Sequence, residues 1–483
     1  MICREHPLRI LRYSLKNIWL LIFPLLRGVS VFHFDPAGIY AWVKGAWMDI
    51  AVLGVILVYG YIRWYFSEIT VTDEAVMHSE GFIVKIRRTI PFEKVSSAST
   101  ETPFYLVPFR AVTVRCDTGA GLFKSADMKL MVTQRAGETL MAHIPDVKKE
   151  KAFKSLPKPS VVSVLLFSVF FSSGFSGAVY IAAFFFKGGD IAHDILSIAM
   201  SRITEQAEHI YVKLLSGIPK AAAMTGMFFM GAWLLSFIMN LLRYSHFQLS
   251  ADTDCINVAF GLVKRRRHRI MTKHINYIDM RQNLIMKLCG AVTVNISCPG
   301  YGYDSHLPVL MPISREKNLG SINEYPSLPR DGRLKYRPRF TAFFTYAGLP
   351  AAGIVLTALL YGSAEALPLN LADLSLFLVI MAEIPLIWLT MVKTVALCTS
   401  GLSVYDDRII LRCSKGTSFH TVIARRENVV MAQIKQNIFQ KLFKKCHVVI
   451  WLSGESRSKY KVKSLTESQG IEIRKLIQHN SIK

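Results

Sequence analysis

The sequence predicts a membrane protein in which α-helical hairpins, about six transmembrane helices in all, alternate with three cytoplasmic β-rich domains. Three observations predict it. A short element recurs along the chain, apolar runs fall in pairs, and the excess of Lys and Arg collects in the segments between those pairs.

The recurring element is Arg281-Gln282-Asn283-Leu284-Ile285-Met286-Lys287-Leu288, which returns as Lys435-Gln436-Asn437-Ile438-Phe439-Gln440-Lys441-Leu442. Its flanks recur at the same distance, Ile275 to Ile278 ahead of the first copy and Val429 to Ala432 ahead of the second. A valine-rich run follows each, Ala291-Val292-Thr293-Val294 and Val448-Val449-Ile450. Upstream, Ala111-Val112-Thr113-Val114 repeats residues 291–294 letter for letter, and Gly81 stands to it as Gly261 stands to its twin. Fixed-period self-similarity of this kind marks repeated structural units.

Composition narrows the class. Of 483 residues, 51% are hydrophobic, which excludes a disordered chain and points to membrane spans. The net charge of +24 would suggest nucleic acid in a soluble protein. In a membrane protein it is the cytoplasmic excess of Lys and Arg, so no nucleic-acid partner is expected. The 8 cysteines form no C-x-x-C pair and read as free thiols in a reducing compartment. The first apolar stretch is broken by Pro24 and Arg27 and lacks a small-residue cleavage pattern, so no cleavable signal is expected.

Taken in order, residues 1–66 read as a first hairpin, with Asn17 to Phe34 its weaker span and Trp47 to Phe66 a clean one bearing Trp and Tyr near its ends. Residues 67–155 shift to short alternating strands punctuated by turn residues, the first β-domain. Residues 160–243 form a second hairpin. Its connection, Gly188 to Pro219, carries Ile191, Ile195, Ile198, Ile203, Ile210 and Leu214 at roughly helical spacing among charges. That pattern suits an amphipathic helix, either lying on the outer membrane face or packed on the bundle. Residues 244–318 form the second β-domain and 319–339 a proline-bearing linker; 340–393 are the third hairpin and 395–480 the third β-domain. The basic segments fall on one side of a membrane if there are six spans, which puts both termini and all β-domains in the cytoplasm of a bacterial cell, at its inner membrane.

This organisation resembles the bacterial PH-like membrane proteins of the YdbS/YdbT type over nearly the whole chain. The residues that carry the resemblance are Glu5-His6-Pro7-Leu8 before the first span, Gly81 and Gly261 ending a second strand, the Ile90-Pro91 step, and the Gln-Asn-x-x-x-Lys-Leu element ahead of a Val-rich strand. Unit one departs by having Thr102-Pro103 for Gln-Asn, unit two by Met271 for Pro91, and unit three by Lys415-Gly416 in place of a clean second-strand glycine. The resemblance implies a PH-like fold of two near-orthogonal antiparallel sheets with a C-terminal helix. It implies no settled activity; some relatives are associated with resistance to membrane-active peptides.

Three sets of residues are candidates for function. Lys264, Arg265, Arg266, Arg267 and Arg269 form a basic run suited to anionic lipid of the inner leaflet, or equally a solvated strand and topology signal. Gln282, Asn283 and Lys287, with Gln436, Asn437 and Lys441, form either a recognition surface or a turn and helix cap. Glu383 beside Pro385 lies inside a predicted span, as a polar site or as one end of an interhelix bond. Enzyme signals are poor. Gly119-Ala120-Gly121 before Lys124-Ser125 lacks the glycine a P-loop requires, and no G-x-S-x-G or H-E-x-x-H occurs. No catalytic residue, metal or cofactor is expected. Two functional classes follow: an interaction or scaffold protein with an unidentified membrane or cytoplasmic protein partner, and a transporter or flippase-like permease with regulatory β-domains.

Overall fold

The structure is a computed structural model that describes residues 2–14, 36–82, 84–119, 126–144, 154–155, 165, 168, 220–251, 254–301, 309–315, 332–365, 372–454 and 458–478. Strand β1 (Ile2–Arg4) leads into the first unit. After helix α1 (Pro36–Tyr65) come β2 (Glu68–Val71), β3 (Ala75–Glu80) and β4 (Ile86–Pro91), a 3-10 turn at Phe92–Lys94, then β5 (Val95–Pro103), β6 (Ala111–Thr118), β7 (Met128–Thr133) and helix α2 (Gln134–His143). The second unit repeats the order: β8 (Lys154–Ser155), α3 (Lys220–Tyr244), β9 (Gln248–Ala251), β10 (Cys255–Phe260), β11 (Lys264–Met271), a 3-10 turn at Thr272–His274, β12 (Tyr277–Gln282), the short helix α4 (Leu284–Leu288), β13 (Ala291–Ser297) and β14 (Val309–Arg315). The third has α5 (Phe343–Glu365) and α6 (Ala372–Thr399), β15 (Gly401–Val404), β16 (Arg408–Lys415), β17 (Ser418–Arg425), a 3-10 turn at Arg426–Asn428, β18 (Val429–Lys435), α7 (Ile438–Leu442), β19 (Lys445–Leu452), β20 (Ser458–Thr466) and α8 (Glu467–Gln478).

Each unit is thus two three-stranded antiparallel sheets joined by a 3-10 turn, with a short lead-in segment set against its first strand. β1 pairs with β2, β8 pairs with β9, and Tyr336 bridges Leu402 on β15. The lead-in residues come before the helical segment of each unit, so the repeat starts upstream of the helices rather than after them.

Turn chemistry explains the recurring glycines. Gly81 and Gly261 have φ of 105° and 100°, and a Cβ at either would collide with the carbonyl oxygen of Val84 or Lys264. Only glycine fits that conformation and that approach. In unit three the turn is built on Gly416 instead, with φ of 60° and open space around it.

The sheets do not stop at unit boundaries. The second sheet of unit one and the first sheet of unit two form one seven-stranded sheet in the order β7-β6-β5-β11-β10-β9-β8. The second sheet of unit two and the first of unit three form a six-stranded sheet, β14-β13-β12-β17-β16-β15. Cores follow the sheets across. Cys255 and Met271 of unit two pack into the first core beside Ile69, Val114 and Leu130. Tyr277 packs into the third beside Leu411, Val448 and Tyr460.

The helical part requires a correction. About six transmembrane helices were expected. Among the described residues, two helices are long and apolar enough to cross a membrane, Phe340–Gly362 and Ala382–Thr399, and the protein is β-rich with several sheets. The apolar stretches Ala51–Tyr65 and Phe228–Tyr244 belong to the 10–17 residue class. They are the apolar parts of the longer helices α1 and α3. Asn17 to Phe34, with Arg27, and nearly all of residues 160–219 lie outside the described residues. These two apolar helices pack closely where Gly353 faces the Leu386 side chain; a Cβ there would lie 2.9 Å from Cδ2 of Leu386. Small residues allow such approach in apolar helix pairs.

Candidate functional site: the seams between units

The basic run occupies β11, a central strand rather than an edge, with β10 on one side and β5 on the other. Side chains alternate along a strand, so the run divides between two faces. On one face lies Glu101 of unit one, directly across from Arg266 in the pairing register. Its carboxylate, with 6% of the side chain exposed, takes Lys264 Nζ at 2.9 Å, Arg115 Nη2 at 2.9 Å and Arg266 Nε at 3.7 Å. On the other face Arg269 donates to the carbonyl of Met141 at 2.6 Å and to Asn257 Oδ1 at 3.2 Å. Lys264, Arg266 and Arg269 therefore bind protein groups, all three across the seam, while Arg265 and Arg267 stay exposed. Arg267 and Arg269 line a cleft of about 380 Å³ between α2 and unit two, with Glu138, Gln248 and Asn257 also on its wall.

The same seam is tightened by a loop of unit two. The hydroxyls of Ser96 and Ser97 donate to the carbonyl of Pro299 at 3.2 and 2.7 Å. Gly300, with φ of 79°, presses so closely on Asp117 that no Cβ would fit.

The second seam is built around Asp279 on β12, 1% exposed. His420 of β17 lies 3.0 Å from Oδ1, Arg281 Nε donates to Oδ2 at 2.8 Å, and Tyr460 Oη donates to Oδ2 at 3.3 Å. Burial alone would push this carboxyl up, but the bonds and charges of His420 and Arg281 outweigh it and hold it below its ordinary value. The Tyr460 hydroxyl is pushed well up by burial and by Asp279. Neither Asp279 nor Glu101 stood out in the sequence. The available signal was an acid inside an apolar strand, Tyr277-Ile278-Asp279-Met280.

The repeated Gln-Asn element sits beside this seam. Asn283 caps α4, its side chain accepting from Met286 N at 2.7 Å, and Gln282 Nε2 donates to the carbonyl of Ala291 at 2.8 Å. In unit three Asn437 caps α7 with Gln440 in a reciprocal capping box, and Gln436 Nε2 donates to the carbonyl of Lys445 at 3.0 Å. Both copies thus hold the same place and share the Gln-to-carbonyl bond, while the reciprocal cap belongs to unit three, since unit two has Met286 where unit three has Gln440. They differ in their surroundings. Lys287 Nζ lies 4.8 Å above the Phe419 ring of unit three, and Leu284 is buried against Tyr346, Val392 and Leu397. The matching Ile438 is 82% exposed. Glu383 is half-buried on α6, two residues before Pro385. Among the described residues no group of three or more His, Cys, Asp or Glu is placed to hold a metal ion.

Two buried histidines set a pH limit on the assembly. His78 lies 3.1 Å from Ser67 Oγ, and burial, against the opposing pull of Glu80, lowers its pKa to about 4. His447 accepts from Ser464 N at 3.1 Å, and burial, then Lys461 and Lys463, lower it to about 4. An unfolded histidine takes its proton near pH 6.5 and these folded ones refuse it until about 4, so their contribution is complete above pH 6.5 and is lost as pH falls toward 4. The loss is on the order of 3 kcal/mol each at the lower limit. The Tm of the detergent-purified protein should fall across that window, and His447→Gln should flatten the fall.

Comparison with known proteins agrees with this architecture. The sequence profile of the family described as bacterial PH domain matches residues 22–151 and 208–321, together just over half of the chain. The chain belongs to the bacterial PH domain family. It is also 22% identical over 298 residues to the UPF0699 transmembrane protein YdbT of Bacillus subtilis (strain 168), a match covering 55% of this chain and 58% of that protein. This chain thus spans less than two thirds of that relative's length. No solved structure matches the chain. The YdbT-like bacterial PH resemblance read from Gly81, Gly261 and the Gln-Asn element holds. With two apolar helices of spanning length and a relative named as transmembrane, this is a membrane-associated PH-domain protein.

Proposed function

We propose that this bacterial PH-domain protein is a membrane-anchored scaffold. Its β-units would form one platform at the inner leaflet of the bacterial cell membrane, facing the cytoplasm, with anionic lipid and an unidentified protein as partners and no catalytic chemistry. The observation that supports this reading is the continuity of the sheets across β5·β11 and β12·β17, which holds three PH-like units in fixed relation rather than on flexible linkers. A fixed array suits presentation of a surface better than independent sampling by each unit. A role in envelope stress or in resistance to membrane-active peptides fits such a platform.

The lipid contact in this reading falls on Arg265 and Arg267, because Lys264, Arg266 and Arg269 are engaged within the protein. Each cation near an anionic surface contributes about 1 kcal/mol, so the pair supplies about 2 kcal/mol, or roughly 30-fold in affinity. The test uses the full chain in nanodiscs, with Förster transfer from a dye on unit two to headgroup-labelled phosphatidylglycerol. R265A/R267A should reduce enrichment of that lipid roughly 30-fold and abolish its salt dependence. Equal transfer in wild type and variant, or equal transfer to phosphatidylcholine, would remove lipid from the partner list.

A further inference from the structure

The two internal seams are one interface used twice. At the first, Ile270 pairs with Ser97; at the second, Ala424 pairs with Tyr277. Ile270 and Ala424 each stand two residues before the 3-10 turn of their own unit, at Thr272–His274 and Arg426–Asn428. Ser97 and Tyr277 each stand three residues after the turn of theirs, at Phe92–Lys94 and Thr272–His274. So the strand before the turn in one unit always pairs, in the same register, with the strand after the turn in the unit preceding it. Among the described residues the rule leaves two strands over. β4 of unit one ends the sheet β1-β2-β3-β4, and β18 of unit three ends the sheet β18-β19-β20. β4 is the kind of strand that both seams take from the following unit. β18 is the kind that both seams take from the preceding one.

We propose that β18 of one copy pairs with β4 of a second copy, so that chains of this protein associate head to tail in the membrane. The register follows from the rule: Ile90, two residues before its turn, lies opposite Met431, three residues after its own. Thr89 then faces Ala432, Arg88 faces Gln433, Arg87 faces Ile434 and Ile86 faces Lys435. No like charges meet, and one apolar pair forms.

Exposure at β18 matches a missing neighbour. Val430 and Met431 are 70% and 45% exposed, whereas Tyr277 at the position of Met431 is 8% exposed. Beside them Ile438, Phe439, Leu442 and Phe443 form an apolar cluster open to solvent. Its counterpart Leu284 is buried against the helices and Phe419 of the next unit. The cluster therefore fits the first helical segment and β4 face of another copy. On β4 itself Ile86, Arg87, Arg88 and Thr89 are all exposed. Long unpaired edges bearing apolar residues are templates for pairing. The ladder of β18 shifts register between Val429 and Met431, as that of β5 does between Val95 and Ser97, and β5 still takes β11 as its neighbour, so the irregularity does not bar pairing. Because the two edges differ, the contact is heterologous: it gives a ring if the rotation closes and a row of copies if it does not.

The test is disulfide trapping in native membranes. In a full-length chain whose Cys3, Cys289 and Cys398 are replaced by Ser, Arg88→Cys is made on a copy with one tag and Gln433→Cys on a co-expressed copy with another. Mild oxidation should yield a product bearing both tags, at least about tenfold above the out-of-register combination of Arg88→Cys with Val430→Cys. A chain carrying both Arg88→Cys and Gln433→Cys should give a ladder beyond the dimer, as a heterologous contact requires. Ile438→Glu, a change at an exposed site, should reduce both products. Equal yields in and out of register, absence of the doubly tagged product, or a ladder that stops at the dimer would overturn the proposal. These readouts involve no lipid, so they stand apart from the lipid test.

Discussion

Asp279→Ala will open the seam between the second and third units before either unit unfolds. The carboxylate is fully buried and is shared by His420 of unit three, Arg281 of its own strand and Tyr460 from the far sheet of unit three. Removing one member of a buried charged network leaves the others desolvated without their acceptor, at a cost of about 3–5 kcal/mol. The damage is confined to β12 and β17, because each strand keeps its other neighbour, β13 and β16. Hydrogen exchange should therefore speed up along Tyr277–Gln282 and Ser418–Arg425, while Cys255–Phe260 in unit two stays protected. Asp279→Asn keeps an acceptor for Tyr460 and should cost less. The sign with pH is fixed by the lowered folded pKa. The contribution is complete above the ordinary carboxylate value of about 4 and is lost as pH falls below it through the folded value. Uniform loss of protection over all three units would show that the seam is not a separate cooperative element.

What the sequence made legible is what local chemistry determines. The three units were visible because each needs the same turns: a glycine where φ is positive at residues 81 and 261, and an Asn where a short helix begins at 284 and 438. Such positions tolerate few residue types, so they repeat recognisably. The seams were invisible because they join strands remote in sequence, with Lys264 opposite Pro103 and His420 bonded to a residue 141 positions away. A strand that pairs with its own unit and one that pairs with the next carry the same alternation. The basic run illustrates the consequence. Read alone, Lys264 to Arg269 is a cationic patch; in the fold, one face of it is closed over Glu101. The helices went wrong in the other direction. Paired apolar runs and the charge asymmetry suggest six spans, whereas spanning needs length and apolar character together, and among the described residues Phe340–Gly362 and Ala382–Thr399 are the two helices that combine them.

Glu101 should prove the most costly single residue to remove from the first seam. Glu101→Ala deletes the carboxylate shared by Arg115, Lys264 and Arg266. Arg115 and Arg266 have side chains only 10% and 14% exposed, so water cannot readily replace the lost partner; Lys264, at 32%, can turn outward. The expected cost is about 3–5 kcal/mol, set by the two arginines. For contrast, Arg265→Ala on the same strand removes an exposed cation and should shift stability by no more than about 0.5 kcal/mol. Pairing Glu101→Leu with Arg266→Leu should recover part of the loss, since a buried ion pair replaced by apolar groups of similar volume is often neutral. Denaturation midpoints of the single and double variants in detergent give the coupling directly. The recovery would identify the cost as that of stranded charge, not of lost packing. A Glu101→Ala variant that loses less than about 1 kcal/mol would mean that solvent reaches this seam, and that the edge-to-edge joint is held by its backbone ladder alone.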